Sequence, residues 1–252
     1  MATALVTGAS SGLGAEFVRQ LSASGWDVVV VSRDRARLEE RATEARARGV
    51  VAEVLPADLS VRRDVDRVAA RLRDAKRPID LLVNNAGFGP GDTFVGSALA
   101  AHDAGLEVMV RAVMALSHAA APAMVARGRG AILNVSSVAA VLGNGTYAAH
   151  KAWVDSFTFG LANELRGTGV TVTSVRPGLV RTEFHERAGL DYGRIPGLVW
   201  LRPAQVVRPA LRATRRGRLA VTPSLRYKVL VGALFLVPGR ARARLAGGRG
   251  GR

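Results

Sequence analysis

The chain has 252 residues, a formal net charge of +16 at pH 7 and no cysteine. This length fits one α/β domain with a sizeable core, and the lack of thiols excludes disulfides, thiolate catalysis and zinc–thiolate sites. The four histidines show no ligand spacing and predict no metal site, and the start lacks the basic and apolar stretches of a secretory signal, which favours a cytoplasmic protein.

The first 22 residues carry the pattern of a nucleotide-binding turn. Thr3 to Thr7 predicts a short apolar strand, and Gly8-Ala-Ser-Ser-Gly12-Leu-Gly14 separates it from an amphipathic helix that runs to about Ser22. Glycines in such a turn let the backbone approach a pyrophosphate, which the free N–H groups of the helix N-terminus then bind. We therefore predict a nucleotide site at this turn.

The second strand, Trp26 to Val31, ends where dinucleotide-binding folds place an acidic residue against the adenosine ribose. Ser32 and Arg33 stand there instead. A carboxylate would repel a 2′-phosphate, whereas a hydroxyl and a guanidinium bind one, so these residues favour NADP over NAD. The alternative is that Arg33 only begins the charged run that follows, a solvated helix face with acid/base pairs.

Strands and helices alternate through the middle of the chain. Strands are predicted at Val50 to Leu55, Ile79 to Val83, Ala131 to Val135 and Val170 to Val175, and helices at about Arg62 to Lys76, between Ser97 and Ala126, and at Thr146 to Arg166. This alternation is typical of a doubly wound parallel sheet with right-handed crossovers, in a single three-layer α/β/α domain.

Tyr147 and Lys151 are four residues apart on a predicted helix, so their side chains share one face. Such a pair is often a surface contact, but an ammonium beside a phenol also lowers the phenol pKa from about 10 towards neutrality, which makes Tyr147 a candidate acid/base. The strand before Ser136 and Ser137 delivers a hydroxyl at its carboxyl end, where open α/β sheets bind ligands. Only one of these two serines can face the cleft.

These motifs together resemble the short-chain dehydrogenase/reductase family, from the first strand to about Thr182. The residues that carry the resemblance are Thr7 to Gly14, Asp58, Asn84-Asn-Ala-Gly87, Ser137, Tyr147, Lys151 and Pro177-Gly178 with Thr182. The resemblance implies a Rossmann-like fold and an NADP(H)-dependent oxidoreductase that interconverts a ketone or aldehyde and an alcohol by hydride transfer.

The same resemblance implies roles for individual residues. Tyr147 would protonate the carbonyl oxygen, Ser137 would hold that oxygen, and Lys151 would bind the nicotinamide ribose and lower the tyrosine pKa. The chemistry agrees, because hydride addition builds an alkoxide that needs a hydrogen-bond donor and a proton source at one place. The implied cofactor contacts are Gly8, Ser10, Gly12 and Leu13 at the phosphates, Asp58 at the adenine, Asn85 and Gly87 on the adenosine side and Thr182 at the carboxamide, completed by Ser11, Ser32, Arg33, Leu59, Ala86, Pro177, Gly178 and Val180.

Two departures from the family pattern concern turnover. Met109 stands where the family usually carries an asparagine, and a thioether is at best a weak acceptor, so the water of the lysine proton relay would lose its anchor. No polar residue lies one helical turn from Met109 in the sequence, and the segment between Ser137 and Tyr147 is shorter than is typical. The alternative function is therefore a low-turnover NADP(H)-binding protein.

The last fifth of the chain carries most of the excess positive charge, with thirteen Lys or Arg and no acidic residue from Leu201 onward. We predict a helix from Pro203 to about Ala213, a short strand at Leu219 to Thr222 and an apolar helix at Leu225 to Val237, which completes a domain over residues 1–237. Residues 184–201 are the predicted lid over an apolar part of the substrate, and its apolar members are Phe184, Leu190, Tyr192, Ile195, Leu198, Val199 and Trp200.

The apolar run Val229 to Val237 is too short to cross a bilayer, and no other uninterrupted apolar run in the sequence is longer. Arg226 and Lys228 precede it, and a basic Arg/Gly-rich tail at 238–252, predicted to be flexible, follows. Two interpretations remain open: a helix docked on the domain or on a partner subunit, or a segment that lies on an anionic membrane surface, which would make this a membrane-surface interaction protein. Nucleic-acid binding is not favoured, because no aromatic residue follows Phe235, and the family resemblance implies a homodimer or homotetramer.

Overall fold

A computed structural model describes residues 1–89, 94–143, 145–184 and 196–238 of the chain. Its strands are β1 (Thr3–Thr7), β2 (Asp27–Ser32), β3 (Ala52–Pro56), β4 (Leu81–Asn84), β5 (Gly130–Val135), β6 (Val170–Val175) and β7 (Ala220–Val221). Its helices are α1 (Gly12–Ala23), α2 (Arg35–Arg46), α3 (Arg62–Arg73), α4 (Leu99–Leu106), α5 (Ala112–Ala126), α6 (Gly145–Glu164), α7 (Pro203–Arg215) and α8 (Leu225–Leu236).

The seven strands form one sheet in the order β3-β2-β1-β4-β5-β6-β7, and all neighbours are parallel. The chain moves outward from β1 to β3, then returns to the other side of β1 with β4. This reversal opens a crevice at the carboxyl ends of β1 and β4, the usual ligand position in open α/β sheets. The prediction of a Rossmann-like, doubly wound parallel sheet is confirmed.

Helices cover both faces of the sheet, so its central strands are largely apolar rather than alternating between apolar and polar residues. On β1, Ala4 and Val6 pack in the cluster that contains Phe17 of α1, whereas Leu5 packs in the opposite cluster with Val68 of α3 and Leu116 of α5. Each strand residue therefore reaches a helical layer on one side or the other. The result is the three-layer α/β/α arrangement in a single domain.

The predicted helical region between Ser97 and Ala126 is interrupted in the structure. A π-helical turn, Glu107–Arg111, separates α4 from α5. Such turns widen a helix locally and are frequent at functional sites. The segment between Ser137 and Tyr147 also contains a short 3₁₀ helix, Val138–Val141, which packs against α6.

The helical stretch Leu99–Ala126 has 28 residues and is long and apolar enough to cross a membrane by length and composition alone. The stretch is not an uninterrupted apolar run in the sequence, because Asp103, Glu107 and Arg111 divide it. Within the fold, 56% of its most apolar 18-residue segment is buried. Helix α5 packs against α3 and β5. The apolar composition is therefore that of a core helix beside the sheet.

Candidate functional site

The glycine turn between β1 and α1 has a geometry that only glycine permits. Gly8 and Gly12 have φ angles of 64° and 55°, in the left-handed region. A Cβ atom on Gly14 would lie 2.0 Å from the carbonyl oxygen of Gly8, so a side chain cannot be placed there. Ser11 is the N-cap residue of α1 but makes no side-chain capping bond. The Ser11 side chain therefore does not cap the N–H groups of the first turn, at Gly12 and Leu13, which point to where another acceptor could bind.

Hydrogen bonds hold the carboxyl ends of β1 and β4 together beside this turn. The hydroxyl of Thr7 accepts from the backbone N–H groups of Asn85 and Ala86 at 2.9 and 3.1 Å. The side-chain amide of Asn85 donates to the carbonyl oxygen of Thr7 at 2.8 Å. The Asn-Asn-Ala-Gly segment, which ends at Gly87, is therefore fixed against the glycine turn.

A buried polar network that the sequence did not reveal connects β4, β5 and α6. Asn84 donates to Asn134 at 2.9 Å and to Ser117 at 3.1 Å, and Asn134 donates to Thr158 of α6 at 2.9 Å. Buried amides and hydroxyls are stable only when they are paired, so these contacts fix the helix relative to the strand ends. The network sets the position of α6, which carries Tyr147 and Lys151.

The adenosine end of the predicted site lies where β2 and β3 end. The Ser32 hydroxyl is buried and has no hydrogen-bond partner among the described residues, and Arg33 beside it is exposed. Asp58, followed by the buried Leu59, accepts from both the backbone and the hydroxyl of Ser60. Burial raises the pKa of Asp58. The two hydrogen bonds from Ser60 and the charge of Arg33 together have the larger, opposite effect, so the pKa lies below its ordinary value. The guanidinium of Arg33 and the carboxylate of Asp58, which are far apart in the sequence, are therefore close in the fold.

The two serines after β5 face different surroundings. Ser136 is buried, and its hydroxyl donates to the backbone carbonyl of Lys151 at 2.9 Å. Ser137 is partly exposed, and its hydroxyl accepts from the backbone N–H of Ala139 at 3.1 Å. Ser136 is therefore used to attach β5 to α6, which leaves Ser137 as the hydroxyl available to a ligand.

Tyr147 and Lys151 lie together on α6. The Lys151 ammonium lies 5.6 Å from the centre of the Tyr147 ring and donates to the carbonyl oxygen of Val135 at 2.8 Å. Lys151 is 4% exposed, and burial lowers its pKa from 10.5 to about 8, with Asp155 acting in the opposite direction. The amine can therefore lose or gain a proton near neutral pH, directly beside a phenol.

Met109 lies in the π turn and is buried against the same amine. A Cβ atom on Gly87 would be 3.3 Å from the Met109 sulfur and 3.5 Å from the Lys151 nitrogen. A Cβ atom on Gly105 would be 3.4 Å from the Met109 methyl group and 3.2 Å from a ring carbon of His150. The Met109 side chain therefore lies near both the Lys151 nitrogen and the His150 ring.

His150 of α6 is a polar residue near Met109. The spacing of residues along α4 and α5 could not reveal it, because it belongs to another helix. Its ring nitrogen Nδ1 is buried without a partner among the described residues. Burial lowers the pKa of His150, and the nearby charges of Lys151 and His102 lower it further. His102 itself lies between the hydroxyls of Ser97 and Thr146, at 2.7 and 2.8 Å.

The Pro177-Gly178 turn follows β6 and is held by α8. A Cβ atom on Gly178 would lie 2.1 Å from a ring carbon of Tyr227, so the ring packs directly on the glycine backbone. Pro177 accepts from the backbone N–H of Val138 at 2.9 Å, which ties this turn to the segment after Ser137. The ends of β5 and β6 therefore form one continuous wall.

The chain after this turn crosses the glycine turn of β1. Val180 pairs with Leu201, and a Cβ atom on Gly12 would lie 3.3 Å from the Thr182 side chain. Glu183 accepts from Arg37 of α2 at 2.8 Å, a contact between residues 146 positions apart that the local charge pattern did not predict. Of the predicted lid, Leu190, Tyr192 and Ile195 lie outside the described residues, as does most of the basic tail.

The predicted site residues, far apart in sequence, thus gather at one edge of the sheet. Every parallel strand ends there, and α6 brings Tyr147 and Lys151 to the same edge. No group of three or more potential metal ligands occurs in the part of the chain that the structure describes. The arrangement offers a glycine turn at a helix N-terminus, a hydroxyl, a phenol and an amine.

The family model for short chain dehydrogenases matches residues 2–192. The chain belongs to this family. Among its curated relatives, the ketoacyl reductase HetN of Nostoc sp. is 35% identical over 181 residues, which cover 71% of this chain and 63% of HetN. As a family member, the chain is an oxidoreductase that acts on alcohol and carbonyl groups.

Solved structures of the family extend the similarity to the whole chain. A short-chain dehydrogenase from Sphingobium yanoikuyae, in complex with NADPH, is 33% identical with a TM-score of 0.85, covering 100% of this chain and 98% of that one. A bulky-bulky ketone specific alcohol dehydrogenase from Comamonas testosteroni is 30% identical with a TM-score of 0.81. The match covers 100% of this chain and 96% of the Comamonas chain. The similarity to solved structures therefore includes α7, β7 and α8, which follow the residues that the family model matches.

Proposed function

We propose that this enzyme uses NADP(H) to interconvert a ketone or aldehyde and the matching alcohol, in the crevice where β1, β4, β5 and β6 end. One observation carries the proposal: a buried amine of lowered pKa lies 5.6 Å from the centre of a phenol ring on α6. A phenol that can exchange its proton is what the oxygen of a reacting carbonyl requires.

The residues on the adenosine side fit NADP(H). The Ser32 hydroxyl, unpartnered among the described residues, and the exposed Arg33 guanidinium supply a donor and a charge for a 2′-phosphate, and β2 ends in Ser32 rather than in a carboxylate. The N-terminus of α1, which the Ser11 side chain does not cap, fits the pyrophosphate, and Gly8 and Gly14 allow the close internal packing that gives the turn its shape. The related Sphingobium enzyme, whose structure contains NADPH, supports the same choice.

The protein residues supply the acid/base chemistry. The nicotinamide, when bound, supplies or accepts the hydride. In reduction, Tyr147 donates its proton to the substrate oxygen, while Ser137 donates a hydrogen bond that holds this oxygen as negative charge develops. Lys151 stabilises the resulting phenolate electrostatically and binds the nicotinamide ribose. The carbonyl of Val135 and the hydroxyl of Ser136 orient the lysine and its backbone.

The proposed substrate has an apolar portion. Phe184, at the start of the predicted lid, lies with its ring centre 5.7 Å from that of Tyr147, so an apolar wall borders the reacting group. Trp200 and Val199 follow at the far end of the lid segment. The related Comamonas enzyme is named as specific for bulky-bulky ketones, which supports a bulky ketone as the substrate.

We further propose that the protein forms a homodimer or homotetramer in which α5 and α6 make the subunit contact. Trp153 and Phe157 stack on the surface of α6 with ring centres 4.9 Å apart, and both are only partly buried. Met114 and Val125 of α5 are exposed. Partly exposed aromatic and apolar side chains on two adjacent long helices are suited to a second copy of the same surface.

The proposal is tested by following NADPH absorbance with a panel of apolar ketones and with Tyr147→Phe. We expect the wild type to oxidise NADPH and the variant to be slower by about 10²- to 10⁴-fold, because the proton donor is lost. Binding of NADPH, measured by its fluorescence, serves as the control for folding and is expected to remain. An unchanged rate in Tyr147→Phe would contradict the catalytic assignment.

A further inference from the structure

The C-terminal helix α8 exposes an apolar strip to solvent. Leu225, Val229 and Leu236 are 75%, 65% and 88% exposed. At the angular spacing of an α-helix, residues four and eleven positions apart fall on nearly the same line, so these three side chains form one strip along the helix. Single exposed apolar residues are ordinary, but an aligned group indicates an interaction surface.

The opposite face of α8 attaches the helix to the domain. Tyr227, Val231 and Leu234 are buried. The Tyr227 hydroxyl donates to the carbonyl oxygen of Val199 at 3.0 Å and accepts from the backbone N–H of Leu179 at 3.0 Å. The face of α8 that packs on the domain is therefore already occupied, and the exposed strip lies on the other side of the helix. It points outward from a helix that is already docked.

The apolar surface continues onto the predicted lid segment. Leu198 is 70% exposed, and its backbone carbonyl accepts a hydrogen bond from the side chain of Arg226. The short 3₁₀ helix that carries it, Gly197–Val199, lies against α8 through the Tyr227 contact. The outward strip and one end of the lid segment thus form a single surface.

Cationic side chains flank the strip. Arg226 and Lys228 fall on opposite sides of the line through Leu225 and Val229, and both are exposed. The sequence has no acidic residue after Asp191, and five arginines follow Pro238. A second copy of the same strip, related by a two-fold axis, would bring these like charges together without a carboxylate on either helix. An anionic lipid surface offers both the apolar layer and the opposite charge.

We propose that α8 and Leu198 dock this protein on an anionic membrane surface, with the helix lying in the plane of the interface. Leu225, Val229, Leu236 and Leu198 enter the headgroup and acyl boundary, while the flanking cations contact anionic headgroups. The docked surface includes part of the lid segment, so an apolar substrate would reach the crevice from the bilayer. This last consequence rests on the proposed function, whereas the docking itself does not.

The test is co-sedimentation of the full chain with phosphatidylcholine vesicles with and without phosphatidylserine. We expect binding to the phosphatidylserine vesicles that weakens as salt is added, and little binding to phosphatidylcholine alone. The double variant Val229→Gln/Leu236→Gln is expected to lose about tenfold or more in vesicle affinity, because two apolar side chains no longer enter the interface. Val51→Gln, which changes an exposed valine before β3, is the matched control and should bind like the wild type.

Three results would overturn the proposal. One is vesicle binding that the double variant retains in full and that only truncation after Pro238 abolishes, since the tail charge alone would then be responsible. Another is sedimentation equilibrium in which the double variant turns an oligomer into a monomer, which would assign the strip to a second copy. The third is no binding of the wild type to either vesicle. NADPH-linked reduction of a water-soluble ketone, measured on the same preparations, separates failure of docking from failure of the proposed enzyme activity.

Discussion

Ser32 and Arg33 are the residues on which the choice between two dinucleotides depends. The serine hydroxyl is buried without a partner among the described residues, and the guanidinium is exposed beside Asp58. A lone buried hydroxyl is unfavourable unless a ligand completes it. A 2′-phosphate would accept from the hydroxyl and the guanidinium together.

Arg33→Ala is expected to weaken NADPH binding by about ten- to a hundredfold and to leave NADH binding nearly unchanged, because only NADPH carries the phosphate that the guanidinium would contact. Titration of cofactor fluorescence gives both dissociation constants. Arg35→Ala, two residues along and also exposed, is the matched control. If the preference for NADPH over NADH is the same in wild type and Arg33→Ala, Arg33 belongs to the solvated charged run and the assignment is wrong.

Lys151 adds a pH dependence to stability. Its pKa is about 8 in the folded protein and 10.5 ordinarily, so the unfolded chain binds more protons between these values. Folding stability of the cofactor-free protein therefore rises with pH across this window, and below it the full cost of burying the charge remains. We expect Lys151→Met to stabilise the protein at pH about 7 by up to about 3 kcal/mol and to lose that advantage at pH about 10.5.

Denaturant unfolding at both pH values measures this difference. Lys76→Met is the control, since Lys76 is exposed and should give the same small change at each pH. A gain for Lys151→Met that does not shrink with rising pH would show that packing, rather than the buried charge, is responsible.

At the scale of elements, the π turn Glu107–Arg111 places an apolar side chain beside the amine. Met109 is 1% exposed, and its side chain lies near both the Lys151 nitrogen and the His150 ring. A thioether does not hold water well, so a proton that enters or leaves Lys151 has no hydrogen-bonded route through this position. The widened turn and α6 thus jointly define the surroundings of the amine.

Met109→Asn is expected to raise the rate of ketone reduction several-fold with little effect on NADPH affinity, because an amide can hold a water or reach the unpartnered His150 nitrogen. Some loss of stability accompanies burial of the amide. Steady-state kinetics measures the effect, and Met109→Leu, which keeps the position apolar, should show no gain. If the asparagine variant is no faster while it still binds NADPH, proton supply to Lys151 does not limit turnover.

At the scale of the whole molecule, excess charge and core are separated along the chain. Buried apolar residues occur along the described chain from Ala4 to Leu234, whereas the sequence after Pro238 adds five arginines and no acidic residue. The C-terminal boundary of the domain is therefore proposed to follow α8.

Truncation after Pro238 is expected to leave the melting temperature and the NADPH-linked activity in solution unchanged, because Tyr227, Val231 and Leu234 remain in place. Truncation before Ser224 should lower the melting temperature markedly, since the Tyr227 ring then leaves Gly178 and the backbone N–H of Leu179 loses its partner. Calorimetry of both forms locates the boundary. Equal melting temperatures for both truncations would place the end of the domain before α8.

The sequence by itself determined the fold, because local signals and the alternation of strands and helices agree with one parallel sheet. Glycines after β1, the serines after β5 and the Tyr147–Lys151 spacing indicated the candidate site, since each depends on neighbours within a few residues. The bounds of most strands and helices agreed with the prediction to within a few residues.

Only the tertiary structure decided the contacts between distant segments. Asn84, Asn134 and Thr158 form one buried network, His150 approaches Met109, and Arg37 reaches Glu183. It also decided that Ser136 is used by the backbone of α6 and that the apolar strip of α8 faces outward. Such facts depend on how helices pack across the sheet, and helical periodicity gives the faces of a helix but not its neighbours.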